Sequence, residues 1–270
     1  MSVRAGRVAL VTGAARGIGA ATVLALAERG WAVLAVDQAA DDPVLPYPLG
    51  TKAELDAVAA RAAAHARKPT MIRQAVVDVR DLAALRTAVA EARDHWGGLD
   101  AAIAGAGVIA GGVPLWEVPL EQERAVLDVD LGGVINLARA AIPALLERPQ
   151  PRSGRFLAIA SAAATRGLPM LAAYCAAKAG VAGLIRALGA ELGGTGVTAN
   201  AVSPGSTDTG ILAESARLYG LPGAEGFAAQ QPERRLLRPE EIAAVLAFLA
   251  GPESSAMTGA VIPADGGLAL

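Results

Sequence analysis

Residues 7–19 read Arg-Val-Ala-Leu-Val-Thr-Gly-Ala-Ala-Arg-Gly-Ile-Gly. The apolar start of this segment is typical of a buried strand, and a helical pattern follows from residue 20. A strand, a glycine-rich turn and a helix in this order place backbone N–H groups and a helix N-terminus where a pyrophosphate can bind. The spacing is Gly-x-x-x-Gly-x-Gly rather than Gly-x-Gly-x-x-Gly, so an ordinary strand-to-helix turn is the alternative for this segment alone.

Short apolar segments alternate with amphipathic ones along the rest of the chain. Strands are predicted at residues 7–11, 31–36, 71–77, 101–104, 156–160, 197–202 and 260–263. Helices are predicted at residues 20–29, 51–66, 81–96, 121–142, 171–192 and 240–250. The alternation predicts a single α/β domain over residues 1–270, a Rossmann-like doubly wound parallel sheet of about seven strands flanked by helices.

Composition indicates a small-molecule partner. Hydrophobic residues make up 53% of the 270 residues and aromatic residues 3%, which favours a core of Ala, Val, Leu and Ile. The net charge is -2 and no basic block is present, so neither nucleic acid nor an anionic membrane is indicated. The longest uncharged apolar run, residues 101–116, is too short to span a membrane. Without a signal-peptide pattern at the N-terminus, we expect a cytoplasmic protein.

Metal and hydrolase chemistry are not indicated by the sequence. The single cysteine, Cys175, excludes an intramolecular disulfide and suits a reducing compartment. His65 and His95 fall in predicted helices without a Cys or a second His at ligand spacing, so no metal site is predicted. Ser161 lacks the Gly-x-Ser-x-Gly pattern of many hydrolases.

Acidic residues end the second and third predicted strands. Asp37 lies where a carboxylate accepts hydrogen bonds from an adenosine ribose and repels a 2′-phosphate, which favours NAD over NADP. Arg16 could pair with that phosphate, but we expect Asp37 to determine the preference for NAD over NADP. Asp78 is placed to contact the adenine amine.

Two segments interrupt the regular alternation. Residues 38–70 contain three prolines before a predicted helix, and this insertion follows the adenosine-side strand. We expect a flap over the cofactor, with a surface insertion of no function as the alternative. Residues 206–236 are irregular and long enough to form a mobile substrate lid.

Tyr174 and Lys178 form the second informative motif. On a helix, residues four apart share one face. An ammonium beside a phenol stabilises the phenolate and lowers the pKa of the phenol, which makes a base usable near neutral pH. The alternative is a half-buried core tyrosine with a solvated lysine beside it.

Taken together, these motifs resemble those of the classical short-chain dehydrogenase/reductase family. The resemblance covers nearly the whole chain, and Ser161 precedes Tyr174 by the family's usual spacing. The matching segments are Thr12-Gly13-x-x-x-Gly17-x-Gly19, Asp78-Val79, Ser161, Tyr174-x-x-x-Lys178, Asn200-Ala201-Val202-Ser203-Pro204-Gly205 and Asp265-Gly266-Gly267.

The resemblance implies a hydride transfer between NAD and a secondary alcohol or ketone. It assigns proton transfer to Tyr174, polarisation of the substrate oxygen to Ser161, and the nicotinamide ribose to Lys178. It also implies a cofactor-binding set: Gly13, Arg16, Gly17, Ile18, Gly19, Asp37, Asp78, Val79, Ala104, Gly105, Tyr174, Lys178, Pro204, Gly205, Thr207 and Thr209.

The chain departs from the family pattern at two places. Ala104-Gly105-Ala106-Gly107 stands where the family usually has Asn-Asn-Ala-Gly, so the hydrogen bonds of those Asn side chains must be replaced or absent. Asp130 aligns with a helix Asn that helps a water molecule relay protons from the Lys. We therefore include Asp130 among the catalytic candidates, and we expect it to raise the pKa of Tyr174 if it is close and ionised.

The insertion further resembles a mycofactocin-associated branch of the family through its Asp-Asp-Pro and Leu-Pro-Tyr pieces. That resemblance implies NAD held almost without exchange and a peptide-derived redox carrier, mycofactocin, as electron acceptor. Family analogy also implies a homotetramer.

The substrate end is predicted to be apolar, with no basic pair clearly over it, which favours a hydrophobic alcohol or ketone. Its candidate lining is Val108, Ile109, Val113, Trp116, Leu168, Met170, Ile211, Leu212, Tyr219 and Phe227. The alternatives are a catalytically idle NAD-binding sensor, and a nucleotide-sugar epimerase or dehydratase, although the latter relatives usually have a larger C-terminal domain.

Overall fold

The computed structural model describes residues 6–68 and 71–270, so the extreme N-terminus and the last two positions of the predicted insertion lie outside the described residues. Seven parallel strands form one sheet in the order β3-β2-β1-β4-β5-β6-β7. They are β1 (Val8–Thr12), β2 (Ala32–Asp37), β3 (Ile72–Val76), β4 (Ala101–Ala104), β5 (Gly154–Ile159), β6 (Val197–Pro204) and β7 (Val261–Ala264). The predicted Rossmann-like sheet is confirmed.

Helices cover both faces of the sheet. They are α1 (Gly17–Glu28), α2 (Lys52–His65), α3 (Leu82–Trp96), α4 (Leu120–Leu127), α5 (Gly133–Leu146), α6 (Ala172–Glu191), α7 (Gly210–Leu218) and α8 (Pro239–Ala250). Helix α1 packs between α2 and α8, whereas α3 packs on α5 and α4 packs on α6. Each layer encloses its own apolar cluster, which explains why the inner strands are apolar without alternation.

The strand order determines where the ligand-binding crevice opens. Strand β1 pairs with β2 on one side and with β4 on the other. The connections leave β1 and β4 toward opposite faces, so a crevice opens at their carboxyl ends. The predicted glycine turn and the loop after β4 both lie at this crevice.

The predicted helix over residues 121–142 is interrupted. A π-helical turn, Asp128–Gly132, joins α4 to α5, and Asp130 lies within it. The helix also continues past Pro143 to Leu146, where the sequence predicts an earlier end. A π-turn inserts one residue into the helical repeat and is often found at functional sites.

Among the described residues, one continuous helical stretch, Leu120–Leu146, has the length and apolar composition of a membrane span. More than half of its most apolar window, 56%, is buried inside the protein. It packs on α3 and α6, so its apolar side chains belong to the core.

Candidate active site

A cleft of about 630 Å³ opens at the carboxyl ends of the strands. It brings together most of the predicted site residues, which come from seven separate segments of the chain. Those that line it are Gly13, Arg16, Gly17, Ile18, Gly19, Asp37, Val79, Gly105, Ser161, Tyr174, Lys178, Pro204, Gly205, Thr207 and Thr209.

The glycine turn is packed backbone against backbone. Gly13 has a positive φ of 68°, and a Cβ there would lie 2.6 Å from the carbonyl oxygen of Gly105. A Cβ at Gly19 would overlap the carbonyl oxygen of Gly13. Within the described chain no side chain caps the N-terminus of α1, and its first residues, Gly17, Ile18 and Gly19, line the cleft. These features fit the pyrophosphate of a dinucleotide.

Asp37 is held in place by the backbone around it. Its Oδ2 accepts a hydrogen bond from Ala15 N at 3.0 Å, and its Oδ1 accepts one from Ala39 N at 2.9 Å. Arg16 donates to the carbonyl oxygen of Pro48 at 2.5 Å. The guanidinium is therefore engaged by the loop after β2, which weakens its case as a 2′-phosphate ligand.

Asp78 lies outside the cleft lining and caps the backbone that follows β3. Its carboxylate pairs with Arg80 at 2.7 Å and accepts the Arg80 backbone N–H at 2.9 Å, and it does not line the cleft. Arg80 also pairs with Asp42 at 2.8 Å. Asp78 thus orients an arginine that fastens the loop after β2. Ala104 is likewise absent from the cleft lining, because it is buried as the last residue of β4.

The loop after β2, residues 38–51, is called the flap below. Besides the contacts at Arg16 and Arg80, the Tyr47 hydroxyl accepts a hydrogen bond from Ile109 N at 2.8 Å. Tyr47 lines the cleft, and burial raises its pKa above the ordinary value. The flap is therefore fastened on both sides of the crevice. The sequence contains no local signal for the Tyr47 contact, because 62 positions separate the two residues.

The catalytic candidates converge beside the cleft. Ser161 follows β5, and Tyr174 lies in the first turn of α6 with Lys178 one turn later. The Lys178 ammonium lies 5.5 Å from the Tyr174 ring centroid and donates to the carbonyl oxygen of Ile159 at 3.2 Å. Asp130 Oδ2 lies 3.1 Å from Lys178 Nζ. Asp130 is fully buried behind Lys178 and does not itself line the cleft.

Burial dominates the electrostatics of this group. It raises the pKa of Tyr174, Lys178 opposes that change, and Asp130 reinforces it. The sequence-based expectation that Lys178 lowers this pKa is right in sign, but burial outweighs it. Burial also raises the pKa of Asp130, against the opposing effect of Lys178. Burial would lower the pKa of Lys178, but Asp130 and Tyr174 raise it overall, so the ammonium keeps its proton.

Side chains from other elements replace the missing Asn residues after β4. The Thr12 hydroxyl accepts a hydrogen bond from Gly105 N at 3.1 Å. Asp130 Oδ1 accepts one from Val108 N at 2.8 Å. The Tyr47 hydroxyl accepts from the next amide, Ile109 N, so these three loop amides have side-chain acceptors without Asn. Asp130 thus links this loop to Lys178.

Comparison with known proteins identifies the family. A family model described as enoyl-(acyl carrier protein) reductase matches residues 13–269. The chain is 39% identical over 265 residues to cis-4-hydroxycyclohexanecarboxylate dehydrogenase of Sinomonas cyclohexanicum, covering 97% of this chain and 96% of that protein. The chain belongs to the short-chain dehydrogenase/reductase family.

Two further short-chain dehydrogenase/reductase relatives agree with this assignment. The (-)-trans-carveol dehydrogenase of Rhodococcus erythropolis is 34% identical over 276 residues, and the match covers 98% of each protein. The structure of carveol dehydrogenase from Mycobacterium avium in complex with NAD superposes with a TM-score of 0.91, at 32% identity over 99% of both chains. The predicted enzyme class, an NAD-dependent oxidoreductase, and the predicted cofactor are confirmed.

The substrate end of this short-chain dehydrogenase/reductase is apolar, with three corrections to the predicted lining. Trp116 is 84% exposed and lies outside the cleft, as do Met170 and Val113, the last of which lines a separate pocket. The remaining predicted residues line the cleft: Val108, Ile109, Leu168, Ile211, Leu212, Tyr219 and Phe227. The last four come from the segment predicted as a lid, where α7 forms the regular part.

Proposed function

We propose that this enzyme oxidises a secondary alcohol on an alicyclic ring to the ketone, with NAD⁺ as the oxidant. The observation that carries the proposal is the buried Tyr174 and Lys178 pair beside Ser161, at the apolar end of the cleft. The names of two relatives, the carveol and hydroxycyclohexanecarboxylate dehydrogenases, denote ring alcohols, which supports an alicyclic substrate.

One group of residues binds NAD, and another polarises the substrate and transfers its proton. The free amides of α1 and the glycine turn hold the pyrophosphate, Asp37 holds the adenosine ribose, and Lys178 holds the nicotinamide ribose. When bound, NAD⁺ accepts the hydride from the carbinol carbon. Ser161 donates a hydrogen bond to the substrate oxygen, and the Tyr174 oxygen accepts the proton of the substrate hydroxyl. Residues 206–236 close over the substrate as a lid.

The experiment that tests this function uses a panel of alicyclic, linear and aromatic secondary alcohols. It follows NADH absorbance at 340 nm during the first turnover and the reduction of an artificial dye acceptor during later turnovers, so that the reaction is detected even when bound NAD does not exchange. We expect NADH formation with the ring alcohols and a slower rate with linear alcohols of equal carbon number. If no alcohol or ketone reacts while NAD binds, the chain is an idle NAD sensor instead.

Asp130 acts through Lys178 as a positioning residue. Its carboxylate fixes the Lys178 ammonium from behind and can accept a proton from it at Oδ2, where the family uses an Asn and a water molecule. Because its negative charge raises the pKa of Tyr174, we propose that Asp130 sets the pH range of the enzyme.

The Asp130→Asn variant is expected to keep measurable activity and to work at lower pH. Removing the carboxylate charge removes one cause of the raised Tyr174 pKa, so the phenolate forms earlier as pH rises. The acid limb of the kcat profile for oxidation should move down by about one pH unit. A pH series of kcat, with a spectroscopic titration of tyrosinate, measures it.

Asp94→Asn, an exposed change on α3, is the control for loss of one carboxylate. An acid limb that stays in place or moves upward would contradict the proposed effect. Complete loss of activity would instead show that the carboxylate has an essential chemical role.

The flap is proposed to hold NAD almost without exchange, with mycofactocin as the electron acceptor. Its fastening at Arg16, Arg80 and Ile109 bridges the crevice from both sides. We expect purified enzyme to contain NAD that survives gel filtration. We expect Arg80→Gln, which releases Asp42, to lose this NAD faster. Chromatography of the supernatant after acid denaturation measures retained NAD.

Arg73→Gln is the matched control, because Arg73 is an exposed residue of the neighbouring strand β3. Among the described residues its guanidinium forms one ion pair, with Glu91 at 4.0 Å. Purified apoprotein that binds NAD reversibly with micromolar affinity would contradict tight retention. A cytoplasmic location and a homotetramer remain part of the proposal, and sedimentation analysis measures the latter.

A further inference from the structure

One charged side chain at the substrate end is unused by the chemistry above. Arg166 lines the cleft five residues after Ser161, on the loop between β5 and α6. The other charged residues that line the described cleft lie near the flap or beside the catalytic tyrosine, and they are Arg16, Asp37, Asp42 and Lys178. Arg166 is therefore the cation at the substrate end of the cleft, and it is exposed to solvent.

The orientation of Arg166 is fixed by neighbouring segments. Its backbone N–H donates to the carbonyl oxygen of Ala162 at 2.9 Å, and its Nη1 donates to that of Leu268 at 2.7 Å. The loop is also held to α6 by a hydrogen bond from Leu168 N to Cys175 Sγ at 3.4 Å. Cys175 directly follows Tyr174, so the loop is fixed relative to the proposed base.

The Arg166 guanidinium has donors to spare. Among the described residues no carboxylate forms an ion pair with it. A guanidinium has five N–H donors in a planar fork that matches a carboxylate with two parallel hydrogen bonds. One carbonyl acceptor leaves Nε and Nη2 free.

We propose that Arg166 binds a carboxylate of the substrate, so that the preferred substrates are alicyclic hydroxy acids. The ring lies against the apolar end, the hydroxyl reaches Ser161 and Tyr174, and the carboxylate meets Arg166 at the cleft mouth. This inference rests on the proposed function. The relative named for cis-4-hydroxycyclohexanecarboxylate is consistent with it.

The experiment compares 4-hydroxycyclohexanecarboxylate, as both ring isomers, with its neutral isostere 4-hydroxycyclohexanecarboxamide. Wild type should prefer the better acid isomer over the matching amide at least threefold in kcat/KM. Because solvent screens a charge pair at an exposed residue, Arg166→Gln should lower kcat/KM for the acid about three- to fivefold, mainly through KM. The amide should change less than about twofold, and Arg166→Lys should retain part of the preference.

Arg86→Gln, an exposed change on α3 away from the cleft, controls for the loss of a positive charge. Higher salt should raise KM for the acid in wild type and not in Arg166→Gln. Equal losses on acid and amide would overturn the proposal, because Arg166 would then only hold the C-terminal segment. Equal turnover of acid and amide by wild type, or turnover of other ring alcohols alone, would also overturn it. A wild-type enzyme that oxidises no alcohol at all would overturn the proposed function and this inference together.

Discussion

The Tyr174→Phe enzyme is expected to oxidise alcohols with kcat/KM about 10³-fold below wild type. General acid or base catalysis by a positioned side chain contributes about 10²- to 10⁴-fold, and the ring of Tyr174 carries the proposed base at the cleft. Because Phe keeps the ring and loses the hydroxyl, the packing of α6 should survive. Initial rates at 340 nm over a range of alcohol concentrations measure the effect, and the loss should fall mainly on kcat.

Tyr219→Phe is the matched control for this change. Tyr219 also lines the cleft, and its hydroxyl donates a hydrogen bond to the carbonyl oxygen of Pro169 at 2.7 Å. The Tyr219→Phe variant therefore loses a phenol oxygen while the proposed base stays intact. Its kcat/KM should stay within about fivefold of wild type, as expected for one hydrogen bond worth about 1 kcal/mol. A Tyr174→Phe enzyme with wild-type kcat would refute Tyr174 as the base. Retained NAD binding in that variant would separate lost chemistry from a lost cofactor site.

The Lys178→Met protein is expected to lose about 3–5 kcal/mol in the free energy of unfolding. Removing one partner of a buried ion pair leaves the other charge without compensation, and Asp130 is fully buried. Urea unfolding followed by circular dichroism measures the change. The same variant should be inactive at every pH, because the ribose contact and the cation beside Tyr174 are both lost.

The double variant Lys178→Met with Asp130→Leu is the informative control. If the cost comes from an unpaired Asp130, replacing both partners by apolar residues should recover most of the lost stability without recovering activity. Lys52→Met, at an exposed Lys-Asp pair of α2, should change stability by less than about 1 kcal/mol. A double variant as unstable as the single one would assign the loss to packing around α6.

The sequence predicts the parts of this enzyme that depend on local spacing. Strand and helix alternation predicts the sheet, because short apolar runs mark the strands and longer runs mark the helices. Tyr174 and Lys178 meet on one helix face because four residues make about one turn. The glycines of the turn are recognised by their spacing, although the close approach of Gly13 to Gly105 joins distant segments.

Contacts between distant segments are where prediction from the sequence stops. Asp130 was recognised as a substitution, but its ion pair depends on the π-turn, which no composition signal marks. Asp78 lies two residues beyond the end of β3 and pairs with Arg80, which in turn contacts Asp42 of the flap. The Arg166 side chain shows its importance only once the cleft walls are assembled around it. Each case requires three-dimensional proximity that a one-dimensional pattern does not contain.

The π-turn at Asp128–Gly132 makes the active site sensitive to the number of residues in a helix as well as to their identity. Deleting one residue there would close the π-turn into a regular α-helical turn and move the side chains next to the deletion by one helical position, about 100° around the axis. The carboxylate of Asp130 would then turn away from Lys178 while α4 and α5 stayed helical. A single in-frame codon deletion would therefore separate this ion pair without replacing any residue that lines the cleft.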